Sequence, residues 1–249
     1  MKPLKKRKKV TILFIIFLIS IIVISLNIYS KPVSAVLVDY SRLNQVTPDV
    51  YMEPDLQDTI KEELLNYVQA SVARISDVFG DRDSYPYLIY VELQKFIRRY
   101  AENSTGQTYY YPWKNYIVIG PRGFNENVIS HEFTHAELRD RLHNKNKVPV
   151  WFDEGLAAMI DGRFSNNEAI WNQITNDGKS PIDFDLLDSH KVFNYGTIEA
   201  SNNYYLSCHE VTRWFTIVGK SGLLKLINEL NHGGNFKDQY KLIEFESNK

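Results

Sequence analysis

The residues His131-Glu132-Phe133-Thr134-His135 combine two imidazoles and a carboxylate at a spacing that suits metal chemistry. Because residues at i and i+4 lie on one face of a helix, His131 and His135 can both reach a single metal ion. Glu132 is turned roughly 100° from His131 on such a helix, so its carboxylate can lie beside the attacking water without being a ligand. Catalytic zinc needs this arrangement of neutral imidazoles, an open water position and a nearby carboxylate base.

A catalytic zinc also requires a third protein ligand, and the candidate is Glu154. It follows His135 by 19 residues, within the sequence VPVWFDEGLA. Pro149 suits the start of a helix, from whose first turns Glu154 would project. Taken by itself, Glu154 is also compatible with a solvated acid on the surface of a helix, so the residues alone leave both interpretations open.

The spacing His-Glu-x-x-His, then eighteen residues, then Glu followed by Gly-Leu-Ala, resembles that of the gluzincin metallopeptidases. It is similar in particular to the bacterial peptidase MA-like group related to aminopeptidase N, whose third-ligand helix the stretch WFDEGLA resembles. The resemblance covers roughly residues 85–230 and is specific in the two motifs. It implies that His131, His135 and Glu154 are zinc ligands and that Glu132 is the general base.

The chain also departs from related patterns in ways that limit the expected activity. Leu138 and Arg141 stand where a metzincin would need Gly and His, which excludes that clan. No Gly-x-Met-Glu-Asn segment, with which the aminopeptidases hold the free amine of the substrate, precedes the zinc motif. Ala158 replaces the acid of thermolysin-like enzymes, so the groups that orient the ligands are unassigned. We therefore expect an endopeptidase or a peptidase of unassigned specificity.

Peptide hydrolysis further needs a donor that stabilises the developing oxyanion. The resemblance implies a tyrosine about fifty residues beyond the glutamate ligand, and Tyr204 stands there, three residues before Ser207 as in the family pattern Tyr-x-x-Ser. Tyr205 is the second choice, and His190 or His209 could take the same role. The alternative for Tyr204 is ordinary packing in the core.

Residues 10–28 form an apolar run of 19 residues that directly follows the basic cluster KKRKK. A helix of this length, at about 1.5 Å per residue, nearly spans a hydrocarbon core of roughly 30 Å. Since basic flanks stay in the cytoplasm, we expect a single-pass anchor in the cell membrane with the catalytic domain outside. The alternative is a signal peptide cleaved after Ala35, which would make the protein secreted.

The net charge of −1, from 29 basic and 30 acidic residues, conceals two unlike regions. Residues 1–30 contain six basic residues and no acid, so residues 31–249 carry a net charge of −7. An acidic body argues against a nucleic-acid partner, because phosphate binding requires a basic face. A single cysteine, Cys208, excludes a disulfide framework and a Cys-based zinc cluster. The expected partners are a peptide or protein substrate and the membrane, and the sequence indicates no oligomeric state.

Hydrophobic periodicity predicts the elements that must position the site. We interpret residues 1–30 as tail and anchor, 31–54 as a linker rich in proline, and 55–249 as a metallopeptidase-like catalytic domain. The predicted strands are 87–93, 107–111 and 116–119. The predicted helices are 55–79, 96–100, 125–142, 150–161, 167–176, 202–219, 221–231 and 235–245. This order favours an α+β protein in which a small mixed sheet lobe packs on a helical lobe, with the zinc site between them.

These features together predict an exported zinc metallopeptidase, a hydrolase of the gluzincin type. Zinc would polarise the scissile carbonyl, and Glu132 would take a proton from the attacking water and pass it to the leaving amine. The alternative, from another class, is a catalytically silent domain that keeps the scaffold as a membrane-tethered binding or structural module. The intact base argues against this alternative, because a silent domain has no physical reason to keep Glu132.

Overall fold

The computed structural model describes residues 11–14, 17, 29–143, 147–194 and 196–249. The strands β1 to β5 span Asn44–Thr47, Val50–Met52, Tyr87–Tyr90, Gly106–Tyr110 and Asn115–Ile119. The α-helices α1 to α8 span Ser30–Val36, Asp58–Phe79, Gln94–Tyr100, Glu126–Arg141, Val150–Asp161, Asn167–Thr175, Ile198–Asn231 and Phe236–Ser247. Short 3-10 turns lie at Val38–Tyr40, Pro121–Gly123, Phe184–Leu187 and His190–Phe193.

The five strands form one mixed sheet in the order β1-β2-β3-β5-β4. The central pairs β2–β3 and β3–β5 are parallel, while β1–β2 and β4–β5 are antiparallel. The last pair is the predicted hairpin, whose strands agree with their expected bounds to within one residue at each end. The α+β class, with one mixed sheet and α-helices, is therefore confirmed.

Residues 31–54, which we interpreted as a linker, belong to the folded body. They contribute α1, β1 and β2, and Val50 of β2 pairs with Leu88 of the central strand β3. All three side chains of β2 are buried. The linker interpretation is wrong because strands of three and four residues, bounded by proline, are too short to show a period of two.

The sheet carries a hydrophobic core on each face, since successive side chains of a strand point in opposite directions. Leu88 and Tyr90 of β3 join the larger core, which they share with α2, α4, α5 and α7. Ile89 and Val91 join a smaller core, covered by α1 and α3. The helices that carry the predicted metal ligands therefore pack on one face of the sheet, and α1 packs on the other.

Two glycines shape the helical part around the predicted motifs. Gly155 lets α5 approach α7 closely, because a Cβ at this position would lie 2.6 Å from the backbone oxygen of Ser207. Gly219, with a φ of 63°, interrupts the helical backbone of α7 at the residue where the sequence predicted a stop. Helices α4 and α5 agree with their predicted bounds to within one residue at each end.

Of the predicted membrane segment 10–28, the structure describes only residues 11–14 and 17, which are helical. The remainder of that segment, and the basic cluster before it, lie outside the described residues. Among the helices that are described, none has the combined length and apolarity that a bilayer crossing requires. The predicted anchor therefore remains an expectation from the sequence.

Candidate metal centre

The two histidines of the predicted motif and Glu154 converge between α4 and α5. The rings of His131 and His135 lie 4.7 Å apart, centre to centre, and are nearly perpendicular. The Oε2 atom of Glu154 lies 3.3 Å from Nε2 of His131 and 3.7 Å from Nε2 of His135. One ligand atom from each residue lies within 4.8 Å of the other two, so the three could hold one metal ion.

The donor set fits a zinc ion in both chemistry and burial. All three residues are buried, and Oε2 of Glu154 has no hydrogen-bond partner among the residues that the structure describes. A buried carboxylate oxygen without a partner is costly, and a cation between the three side chains would remove that cost. Two imidazole nitrogens and one carboxylate oxygen are also the protein ligands of many catalytic zinc ions, with one position left open.

Two aspartates contact the ring nitrogens of the histidines that face away from Glu154. Nδ1 of His131 lies 2.8 Å from Oδ2 of Asp161, and Nδ1 of His135 lies 2.8 Å from Oδ1 of Asp153. Because each Nδ1 is engaged, each Nε2 is left facing Glu154, as a metal ligand requires. Neither aspartate was assigned a role from the sequence. A signal existed, since Asp161 follows Glu154 by seven residues, or about two helical turns, on the same face of α5.

Each aspartate is in turn bound by an arginine. Nη2 of Arg139 lies 2.7 Å from Oδ2 of Asp153, and Nη2 of Arg163 lies 2.6 Å from Oδ2 of Asp161. Arg139 is itself buried, and its guanidinium lies 5.1 Å from the ring centre of Tyr110 on β4. Each histidine is thus fixed by a carboxylate that a second charged group holds in place, an arrangement that sequence reasoning did not foresee.

The charges of the site shift the pKa values of its members. Burial disfavours the charged form of His131, but its hydrogen bond to Asp161 and the nearby carboxylate of Glu154 outweigh burial and raise the pKa of His131. Burial also lowers the pKa of His135, but the negative charges of Asp153 and Glu154 outweigh it and raise the pKa of His135 to about 10. Burial would raise the pKa of Glu154, but the two imidazoles hold it well below its usual range. A negative environment that favours protonated imidazoles would equally favour a divalent cation between them.

The predicted general base, Glu132, is buried against the edge of the sheet. Its Oε2 accepts a hydrogen bond of 2.6 Å from Oγ1 of Thr108 on β4. Gly106, two residues before Thr108 on the same strand, also lies close to Glu132. A Cβ at position 106 would lie 2.7 Å from Oε1 of Glu132. Strand β4 therefore lies directly beside the motif helix, and glycine at position 106 makes this approach possible.

The candidate oxyanion donor, Tyr204, is buried beside the metal centre. Its ring lies 6.1 Å from that of His131 and stacks on Phe164 at 5.1 Å. The alternative Tyr205 is half-buried and packs edge-on against the same phenylalanine. The position of Tyr204 is compatible with the predicted role, which stays a prediction.

Of the two alternative histidines, only His190 reaches the site. Its Nδ1 lies 3.6 Å from Oε1 of Glu154, while 70% of its side chain is exposed. His209 instead stacks on Trp171, with the ring centres 4.3 Å apart. The long-range contact of His190 could not be found from spacing, because a loop of 3-10 turns brings it to Glu154 from 36 residues away.

No protein-family model matches this sequence, and a search of the curated proteins finds no match. The site itself is therefore the basis for a functional assignment. Its structure defines a buried group of two histidines and one glutamate that could hold a metal ion. Both histidines are fixed through Nδ1 by carboxylates, which is characteristic of metal-binding imidazoles.

Replacing Asp161 by Asn is expected to weaken zinc binding about 10- to 100-fold, because the anion that orients His131 is lost. Asn keeps the size of the side chain, and Arg163 is partly exposed, so water can reach its guanidinium after the change. The zinc dissociation constant can be measured by competition with a chromophoric chelator. The control is Asp77→Asn on the exposed face of α2. Equal zinc affinity in both variants would show that Asp161 does not support a ligand.

Proposed function

We propose that this protein is a zinc-dependent metallopeptidase of the gluzincin type, held outside the cell by an N-terminal membrane anchor. The observation that carries the proposal is the convergence of His131, His135 and Glu154 on one point, with the carboxylate of Glu132 buried one residue along the same helix. A metal-holding group alone would suit a structural site. The added carboxylate base favours hydrolysis, since a structural zinc site needs no base.

Each residue of the site would have a separate role in peptide hydrolysis. A zinc ion bound by the three ligands would polarise the scissile carbonyl and lower the pKa of the attacking water. Glu132 would accept the proton of that water and deliver it to the leaving amine. Thr108 binds only one of its carboxylate oxygens, Oε2, and so fixes the carboxylate while leaving Oε1 for proton transfer. Tyr204, beside His131, would donate to the oxyanion.

The location of β4 supports an extended peptide as the substrate. Within the described part of the chain, β4 is an edge strand of the sheet. The backbone N–H and C=O groups on its free side can therefore pair with an extended peptide. Thr108 in the middle of this strand contacts Glu132, and Tyr110 at its end is 39% exposed beside Arg139. A peptide that pairs with β4 would therefore run past the catalytic carboxylate.

Export and anchoring are supported by the sequence of residues 1–30. The basic cluster before a 19-residue apolar run favours a cytoplasmic N terminus and an external body. Cleavage after Ala35 would instead remove most of α1, which packs on the sheet. The uncleaved anchor is therefore the form that keeps the folded body complete.

The proposed function is tested with the full chain purified in detergent without added zinc. We expect about one zinc per chain and cleavage of members of a peptide library. A chelator should abolish cleavage, and added zinc should restore it. Absence of zinc, or cleavage that the chelator leaves unchanged, would contradict the proposal. About one zinc per chain with no cleavage of any peptide would favour the silent binding module instead.

A further inference from the structure

Helix α3 presents a basic surface on an otherwise acidic body. Its sequence QKFIRRY contains Lys95, Arg98 and Arg99 and no acid, whereas residues 31–249 together carry a net charge of −7. All three basic side chains are exposed, and none forms an ion pair with any residue that the structure describes. Unpaired cations concentrated on seven residues indicate an anionic partner.

Apolar side chains are exposed beside this basic surface. Tyr29 and Leu37, which flank α1, are 59% and 48% exposed. Tyr40, a little further along the chain, is 88% exposed, and Leu93, directly before α3, is 54% exposed. Tyrosine and leucine next to lysine and arginine are the composition of surfaces that lie at a membrane interface. The combination distinguishes this surface from an ordinary solvated helix.

Helices α1 and α3 form one surface. Ala35 of α1 and Ile97 of α3 belong to the same small core on one face of the sheet. An ion pair between Lys31 and Glu102 also links the start of α1 to the segment after α3. This pair neutralises Glu102, so the acid does not cancel the charge of the basic residues on α3.

The position of this surface relative to the predicted anchor follows from the chain itself. The apolar run ends at residue 28, and α1 begins at Ser30. A seven-residue helix is about 10 Å long, and neighbouring helices lie about 8–10 Å apart. Helix α3 therefore lies within about 20 Å of the point where the chain would leave the bilayer.

We propose that the outer surface of α1 and α3 docks on the anionic phospholipid headgroups around the membrane anchor. This inference rests on the membrane anchoring in the proposed function and adds an orientation to it. The basic residues of α3 bind headgroup phosphates, and the exposed tyrosines and leucines enter the interface. The metal centre lies on helices that pack on the opposite face of the sheet, so docking leaves it open to substrate.

The test uses the full chain in nanodiscs of phosphatidylglycerol or of phosphatidylcholine, with hydrogen–deuterium exchange of residues 94–100 as the readout. We expect exchange on the order of tenfold slower in the anionic discs, because docking suppresses local opening of α3. High salt should remove the difference, since exposed charges are screened. The triple substitution Lys95→Gln, Arg98→Gln and Arg99→Gln should remove it at low salt as well.

The matched control neutralises three exposed lysines of the helical lobe, Lys179, Lys241 and Lys249, and should keep the full difference. Equal exchange of wild-type α3 in both lipids overturns the docking proposal while leaving anchoring intact. Failure of the chain to co-purify with the discs overturns docking and anchoring together. Zinc content and peptide cleavage, measured on the same samples, report on the proposed catalysis independently of either result. If the triple variant unfolds, the salt dependence of the wild-type protein decides the question.

Discussion

Replacing Glu132 by Gln is expected to lower peptide hydrolysis by a factor of about 10² to 10⁴ while zinc remains bound, because only the general base is removed. Gln has the shape of Glu, so it fits against Gly106 and can still accept a hydrogen bond from Thr108. The variant should therefore fold normally. The measurements are kcat/KM on a cleaved library peptide and zinc content by metal analysis.

Glu126→Gln is the matched control for this variant. Glu126 lies in the first turn of the same helix, where it forms a half-buried ion pair with Arg74, and its replacement should leave activity unchanged. Hydrolysis by the Glu132 variant at the wild-type rate would contradict the mechanism. Loss of zinc from the same variant would show instead that Glu132 supports the metal site rather than the proton transfer.

Replacing Glu154 by Gln is expected to weaken zinc binding by more than about 100-fold, which exceeds the effect of replacing a group behind a ligand. The reason is that Oε2 of Glu154 is the only carboxylate oxygen that lies near both Nε2 atoms among the described residues. A neutral amide also removes the negative charge that offsets the cation. Zinc titration with a competing chelator measures the loss, and hydrolysis should fall with it at limiting zinc.

Glu168→Gln, at an exposed position in the first turn of α6, is the control for the Glu154 variant and should bind zinc as the wild type does. Unchanged zinc affinity after Glu154→Gln would exclude Glu154 as the third ligand. The proposed gluzincin-type site would then fail. Loss of zinc in both variants would point to a general effect of removing charge rather than to a ligand role.

Most of the predicted site comes together in the fold. His131 and His135 face the same point because i and i+4 positions share a helix face whatever the rest of the fold. Glu154 joins them, as the resemblance implied, because α5 packs against α4. The strands β4 and β5 and the helices α4 and α5 were also predicted within a residue or so, since hydrophobic periodicity and proline or glycine boundaries are local signals. The linker interpretation of residues 31–54 failed because β2 depends on pairing with distant β3, and β1 in turn pairs with β2.

The sequence alone thus determined the identity and spacing of the candidate metal ligands and the helices that carry them. Only the tertiary structure decided which groups surround those ligands: Asp161 behind His131, Thr108 on Glu132, and His190 beside Glu154. The physical reason is range. Helical geometry is set by neighbours a few residues apart, whereas these contacts join segments 24 to 36 residues apart, whose approach depends on the packing of the whole core.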